Sequence, residues 1–138
     1  MKTIQIIIIL LFSNLVFISA QQNVVDSFVV EEDEPTFVQV EEPATFRGGD
    51  LTLFRDYVQQ SIVWPAGYEG SGRIIVQFCI NKYGKVVDIK VLKGINPLPD
   101  NEVIRVILES NKLNAWKPAK QGGKTVKQSF VIPIAFNR

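Results

Sequence analysis

The sequence predicts an α+β domain in which two helices pack on a small antiparallel sheet, in the chain order helix, hairpin, helix, strand. Three patterns lead there. Leu51, Phe54, Val58 and Ile62 recur at helical spacing, with Tyr57 broadening the stripe. Ile74, Val76, Phe78 and Ile80 alternate with Arg73, Ile75, Gln77, Cys79 and Asn81, and a turn then leads into a second alternating run. Val126, Phe130, Ile132, Ile134 and Phe136 fall on one face of a closing strand.

Taken in order, helix one spans about residues 51–62. Asp50 is a suitable N-cap, because its carboxylate accepts from the free N–H groups of the first turn. The helix stops before Trp64-Pro65, since proline disfavours helix in the residue ahead of it. Gly72 opens the first strand, which places Cys79 on its wetter face as a small filler partly covered by neighbours. Asn81-Lys82-Tyr83-Gly84 makes the hairpin turn, with Gly84 suited to positive φ. Strand two follows over 85–93, with Val87, Ile89 and Val91 on one face and Asp88 and Lys90 on the other. Helix two shows Val103, Ile104, Ile107 and Leu108 on its apolar face, with Asn96 or Asp100 as its cap, and fades near Ser110-Asn111. A loop containing Trp116-Lys117-Pro118 and Gln121-Gly122-Gly123-Lys124 reaches the last strand, about 125–136. The two tryptophans are expected to anchor loops by packing. Pro133 cannot donate to a ladder, so this strand is expected to leave one side unpaired.

Ahead of the domain the composition changes. Lys2 precedes an almost wholly apolar run from Ile4 to Ile18, and Ser19-Ala20 precedes a polar break. That order reads as a secretory signal peptide over residues 1–20, cleaved after Ala20, with a retained membrane anchor as the alternative. Residues 21–46 read as an acidic linker ahead of a domain over 47–138. Its short apolar pieces, among them Phe28-Val29-Val30 and Phe37-Val38, leave room for an added strand. Between residues 24 and 46 there are seven acids and no base; residues 47–138 carry fourteen bases and seven acids, a net of +7. An acidic tether on a basic domain results.

The chain of 138 residues has no histidine and a single cysteine. It therefore lacks a Ser-His or Cys-His pair to activate a nucleophile, and it cannot assemble a Cys/His zinc site. No enzyme activity, catalytic residue, metal or cofactor is expected. Export makes a nucleic-acid partner for the basic domain unexpected. Membrane contact is expected only if the N-terminal segment stays uncleaved.

The motifs and their order resemble the TonB C-terminal domain, in the form common in Bacteroidota. Pro43-Ala44-Thr45-Phe46-Arg47-Gly48-Gly49 precedes helix one, and Trp64-Pro65-Ala66 stands where the family usually has Tyr-Pro. Gly72 to Phe78, followed by Tyr83-Gly84-Lys85-Val86, is similar to the family's first hairpin. Leu98, Asp100 and Glu102 fall where its second helix begins. Trp116-Lys117-Pro118-Ala119-Lys120-Gln121-Gly122-Gly123-Lys124 and Phe130-Val131-Ile132-Pro133-Ile134-Ala135-Phe136 resemble its closing loop and strand.

The resemblance implies a periplasmic domain that captures an extended segment of a TonB-dependent outer-membrane receptor, or of another partner, by strand addition. The expected peptide-binding edge is Thr125, Val126, Lys127, Gln128, Ser129, Phe130, Val131, Ile132, Pro133 and Ile134. Lys117, Lys120, Lys124 and Lys127 are the candidates for steering an acidic peptide toward it. Such an edge can also accept a second copy, so a homodimer is a further expectation. Two alternatives stand beside this reading. One is an inner-membrane-anchored energy transducer facing the periplasm. The other is a structural envelope domain that binds peptidoglycan or a lipoprotein. Energised TonB proteins resemble one another in a histidine of the N-terminal helix and in long Pro-Glu and Pro-Lys repeats; this chain has neither.

Overall fold

The computed structural model describes residues 34–137; the signal-peptide reading of 1–20 and the linker reading of 21–33 lie outside the described residues. The elements are β1 (Thr36–Phe37), β2 (Thr45–Phe46), α1 (Leu51–Ser61), β3 (Gly72–Ile80), β4 (Val86–Lys93), α2 (Pro97–Glu109), a 3-10 turn (Ser110–Leu113), β5 (Trp116–Lys117), β6 (Ala119–Gln121) and β7 (Lys124–Phe136). The two helices and the sheet are present, but the chain is richer in strands than the expected helix, hairpin, helix and strand: β1, β2, β5 and β6 are additional.

Local chemistry explains the boundaries. Asp50 caps α1 by accepting from the Thr52 N–H at 2.9 Å. Asn96, not Asp100, caps α2, accepting from Leu98 N–H at 3.0 Å, with Pro97 at the first helical position where its missing N–H costs nothing. Asp100 turns back instead and accepts from the Ile95 N–H at 3.0 Å, which tightens the entry loop. Gly84 takes φ 78° in the hairpin turn, where an added Cβ would meet the Trp116 carbonyl.

The sheet differs from the expectation in one respect that matters below. It is mixed and five-stranded, ordered β1-β7-β3-β4, with β6 also paired to β7. β3 pairs antiparallel with β4 and β7, whereas β1 runs parallel to β7 through Thr36↔Lys127 and Phe37↔Gln128. The expected all-antiparallel sheet is thereby corrected. The added strand comes from the segment read as linker. Pro35 begins the compact unit, and Ala44 and Phe46 are buried in its core. The acidic composition hid these anchors, because only a few apolar residues secure the segment. β2 and β5 form a separate two-stranded ladder, Thr45↔Lys117 and Phe46↔Trp116.

The core lies between the sheet and the two helices. Ile74, Val76, Phe78 and Ile80 of β3 and Ile132, Ile134 and Phe136 of β7 meet Phe54 and Val58 of α1 and Val103, Val106 and Ile107 of α2. Phe46, Phe54, Phe78 and Phe130 surround Trp116, with ring centroids 5.0–6.1 Å from the indole. Trp64 packs on Phe136 and donates to the Tyr68 carbonyl, so both tryptophans are packing anchors.

Two further details depart from the alternation rule. β4 carries an extra residue against β3 between the Gln77↔Lys90 and Cys79↔Val87 pairs, and Asp88 there has φ 53°. This bulge reverses the facing of β4: Val86 and Val91 lie opposite the core residues Ile80 and Val76, and Val87 lies opposite Cys79. The predicted shared face of Val87, Ile89 and Val91 is therefore split. Cys79, expected on the wetter face, is only 4% exposed. It lies between Val87 of β4 and Ser129 of β7 on that face, and both cross-strand neighbours cover it.

Candidate functional site: the outer edge of the closing strand

β7 has two unlike sides. Toward β3 its register runs unbroken from Gly72↔Phe136 to Ile80↔Gln128. Away from β3, β1 covers Lys127 and Gln128, while β6 pairs with Lys124 to Val126 beyond the end of the β3 ladder. From Phe130 to Ile134 the outer side has no strand partner among the described residues.

Which backbone groups face outward follows from one pair of hydrogen bonds. The Gln59 side chain of α1 donates to the Ala135 carbonyl at 2.6 Å and accepts from the Ala135 N–H at 3.0 Å. The Ala135 backbone therefore turns away from β3. In an antiparallel ladder the orientation alternates residue by residue, so Pro133, Val131 and Ser129 turn their backbone groups the same way. Phe130, Ile132 and Ile134 bond inward to β3. Pro133 has no N–H to offer, so its placement on the outer side leaves no ladder bond broken. Val131 is then the residue with both an N–H and a C=O directed outward and unpaired among the described residues, and its side chain is 48% exposed.

Gln59 acts as a substitute strand. Its amide presents one donor and one acceptor, the same pair a neighbouring residue would present. It sits four residues after Arg55, so both lie on the stripe of α1 that borders β7. Arg55, Gln59, Arg73, Pro133 and Ala135 line a hollow of about 370 Å³ at this end of the edge.

The predicted edge residues divide into three groups. Thr125 and Val126 lie opposite Lys120 and Ala119 of β6, beyond the end of the β3 ladder. Lys127 and Gln128 are occupied by β1. Ser129, Phe130, Val131, Ile132, Pro133 and Ile134 lie along the part that β3 alone pairs, with Ile132 and Ile134 buried in the core. Gln128 has a structural role that alternation alone does not show. It is 5% exposed, and its side-chain oxygen accepts from the Ala44 N–H at 2.9 Å, which ties the segment before α1 to the sheet.

The predicted lysine cluster is also divided. Lys127 bonds Asp88 on the face away from the helices. Lys117, Lys120 and Lys124 belong to β5, β6 and the start of β7, on the hairpin that Glu41 and Glu42 join. Glu42 and Lys120 exchange backbone bonds there at 3.1 and 2.8 Å, and the Glu41 carboxylate accepts from Gly122 N–H at 3.3 Å. Gln59 and Arg55 were not among the residues singled out from the sequence. A polar residue on the solvent side of a helix carries no sequence signal for reaching a strand edge.

Titratable groups elsewhere have structural causes. Burial pushes the Cys79 thiol above its ordinary value, against smaller opposing effects of a Ser129 hydrogen bond and Lys127. Hydrogen bonding from Arg105 holds the Glu102 carboxyl below its ordinary value, with the Val63 N–H helping and burial opposing. Glu102 accepts that N–H at 3.0 Å, which fastens the chain after α1 to α2.

Comparison with known proteins places the chain in a family. The model of the Gram-negative bacterial TonB protein C-terminal domain matches residues 68–137, just over half of the chain. The chain is similar to the solution NMR structure of the Helicobacter pylori TonB C-terminal domain, with 25% identity and a TM-score of 0.45 over 63% of this chain and 91% of that one. No curated protein matches it. This chain belongs to the TonB C-terminal domain family, whose members take part in TonB-dependent transport, work in association with the periplasm and have outer-membrane receptors as protein partners.

Proposed function

We propose that the chain is a periplasmic, non-enzymatic binding protein that captures an extended segment of a TonB-dependent outer-membrane receptor by strand addition along the outer edge of β7. The observation that carries this reading is the outward-facing Val131 backbone beside two removable covers, β1 at one end and the Gln59 side chain at the other. An incoming extended chain can bond the Val131 N–H and C=O and the Pro133 C=O without disturbing β3. Displacing β1 would extend that ladder toward Lys127. Each net backbone bond contributes about 0.5–1.5 kcal/mol, so a ladder this short favours weak, reversible capture.

The physiological role follows from the compartment. A signal peptide cleaved after Ala20 would release the chain into the periplasm with Gln21 as its first residue. It would then support TonB-dependent transport without anchoring itself to an inner-membrane motor. Mass spectrometry of the exported protein separates this from the anchored transducer: a Gln21 terminus supports release, and an intact Met1 contradicts it.

Capture itself is tested with fluorescein-labelled peptides from the N-terminal segments of outer-membrane receptor plugs. The wild type is expected to raise their anisotropy, and Val131→Pro is expected to abolish that rise while keeping the wild-type circular dichroism. Equal binding by a folded Val131→Pro variant would remove this edge as the site.

A further inference from the structure

The sheet has a second border that the proposed capture does not use. β4 is its terminal strand on the side away from β7, and the outer side of β4 has no strand partner among the described residues. Backbone groups alone give an extended chain no reason to prefer one border over the other. The covers do not separate the two borders either. The Asn111 side chain accepts from the Val86 N–H at 2.7 Å and donates to the Val86 carbonyl at 3.1 Å, as Gln59 does for Ala135. What separates them is phase.

Along β7 the phase is constant. Its register with β3 is unbroken, so Ser129, Val131, Pro133 and Ala135 turn their backbone groups outward at every second position. Along β4 the phase changes. The Asn111 bonds show that the Val86 backbone faces outward. Gln77 lies between Val76 and Phe78, whose groups bond to β7, so its own groups turn to β4 and draw Lys90 inward. Val91 then faces outward. Val86 and Val91 are an odd number of positions apart, because Asp88 is the extra residue between the Cys79↔Val87 and Gln77↔Lys90 pairs. A second register shift follows between Val91 and Lys93. A regular strand bonds to every second residue of its neighbour, so it cannot match Val86 and Val91 together.

The chemistry of Asp88 suits this position. Its φ of 53° is a left-handed conformation, which Asp tolerates far better than the β-branched residues on either side of it in β4 would. Its carboxylate receives the ammonium of Lys127, which reaches from β7 over β3. The extra residue is thereby tied to the far side of the sheet.

We infer that the Asp88 bulge closes the β4 border to strand addition, so that Asp88 is the residue that confines capture to β7. The closure stands on the geometry of β4. Its consequence for capture rests on the strand-addition reading.

The test uses the mature full chain carrying Val131→Pro, which blocks β7, with and without deletion of Asp88. Without Asp88, Ile89 falls opposite Phe78 with no extra residue, and Val86, Ile89 and Val91 turn outward in one phase. Binding of the fluorescein-labelled receptor-plug peptides is read by anisotropy, and self-association by sedimentation velocity. The deletion is expected to raise peptide affinity by about tenfold over Val131→Pro alone and to increase self-association through paired β4 borders. Asp88→Gly keeps the left-handed turn and loses the Lys127 bond; it is expected to leave the border closed. In the wild type, saturating peptide is expected to protect the Val131 amide from hydrogen exchange and to leave the Val91 amide unchanged, a measurement that decides the matter if the deletion variant folds poorly.

A folded deletion variant that neither gains peptide affinity nor self-associates more overturns the inference and leaves strand addition at β7 standing. Protection of the Val91 amide by peptide in the wild type overturns it as well, since the border would then be open. A border opened by Asp88→Gly moves the closure from the bulge to the ion pair and overturns the assignment. If the wild type binds no peptide, the strand-addition reading fails, and sedimentation alone decides the closure: more self-association without Asp88 upholds it, and no change overturns it.

Discussion

The two sides of β7 put the same thirteen-residue strand to different uses. Toward β3 it is locked by an unbroken ladder and by Ile132, Ile134 and Phe136, all in the core. Away from β3 it is held by short pieces: two residues of β1 and one glutamine side chain. The inner side gives a rigid line of backbone groups at fixed spacing. The outer side leaves part of that line available. A docking strand has to be well ordered before its partner arrives, or the entropy of ordering it is charged against binding. For the proposed capture, β3 and the core order the strand in advance, and only short covers hold its outer side.

That division can be broken one residue at a time. Ile132→Ala, on the inner side, is expected to cost about 2–5 kcal/mol in urea unfolding, because it empties a fully packed position. A cost below about 1 kcal/mol would mean that the inner side is looser than its burial indicates. Val131→Pro, one residue away, is expected to cost only about 1 kcal/mol, since its N–H is not used by β3. Its effect should appear in peptide capture, as a loss of tenfold or more by anisotropy titration. A large stability loss for this variant would show that the outward orientation of Val131 is wrong.

Gln59→Ala sharpens the comparison from the other end. It uncovers the Ala135 N–H and C=O at an exposed site, so its stability cost should stay within about 1 kcal/mol. With the competing cover gone, capture of the same peptides is expected to tighten by about twofold. Weakened capture would make Gln59 a contact for the peptide instead of a cover.

The smallest expected effect concerns a region apart from the edge. The Glu102 carboxyl is held low by Arg105 and the Val63 N–H, so its folded pKa lies below its unfolded one. The stability it contributes is fully present above the ordinary carboxylate range and is lost as pH falls through the folded value. The stability gap between wild type and Glu102→Gln should therefore be present at neutral pH and disappear in acid. Capture, which does not involve this pair, should show no matching dependence. A gap that grows in acid would reverse the assigned sign.

The sequence reveals the inner side of β7 far better than the outer one. Apolar alternation marks Ile74, Val76, Phe78, Ile132 and Ile134 because burial against two helices selects residue type at every second position. Pro133 also points correctly to an unpaired side, because a missing donor is a local property. The covers are harder to read. β1 consists of two residues in an acidic stretch, and its pairing is set by where the chain lies in space. Gln59 reaches Ala135 across 76 positions of sequence, and its amide looks like any solvated helix residue. Gln128 breaks the apolar pattern yet is buried, because the Ala44 N–H needs an acceptor there. The bulge at Asp88 reverses the face of half of β4, a change that no period-two pattern reports.

Amide hydrogen exchange of the mature full chain, with and without a receptor-plug peptide, examines the outer edge most directly. The Val131 amide is expected to exchange fast in the free protein and to become protected when the peptide binds, while the Ile132 and Ile134 amides stay protected throughout. A Val131 amide that is already slow in the free protein, or that stays fast under saturating peptide, would contradict strand addition at β7.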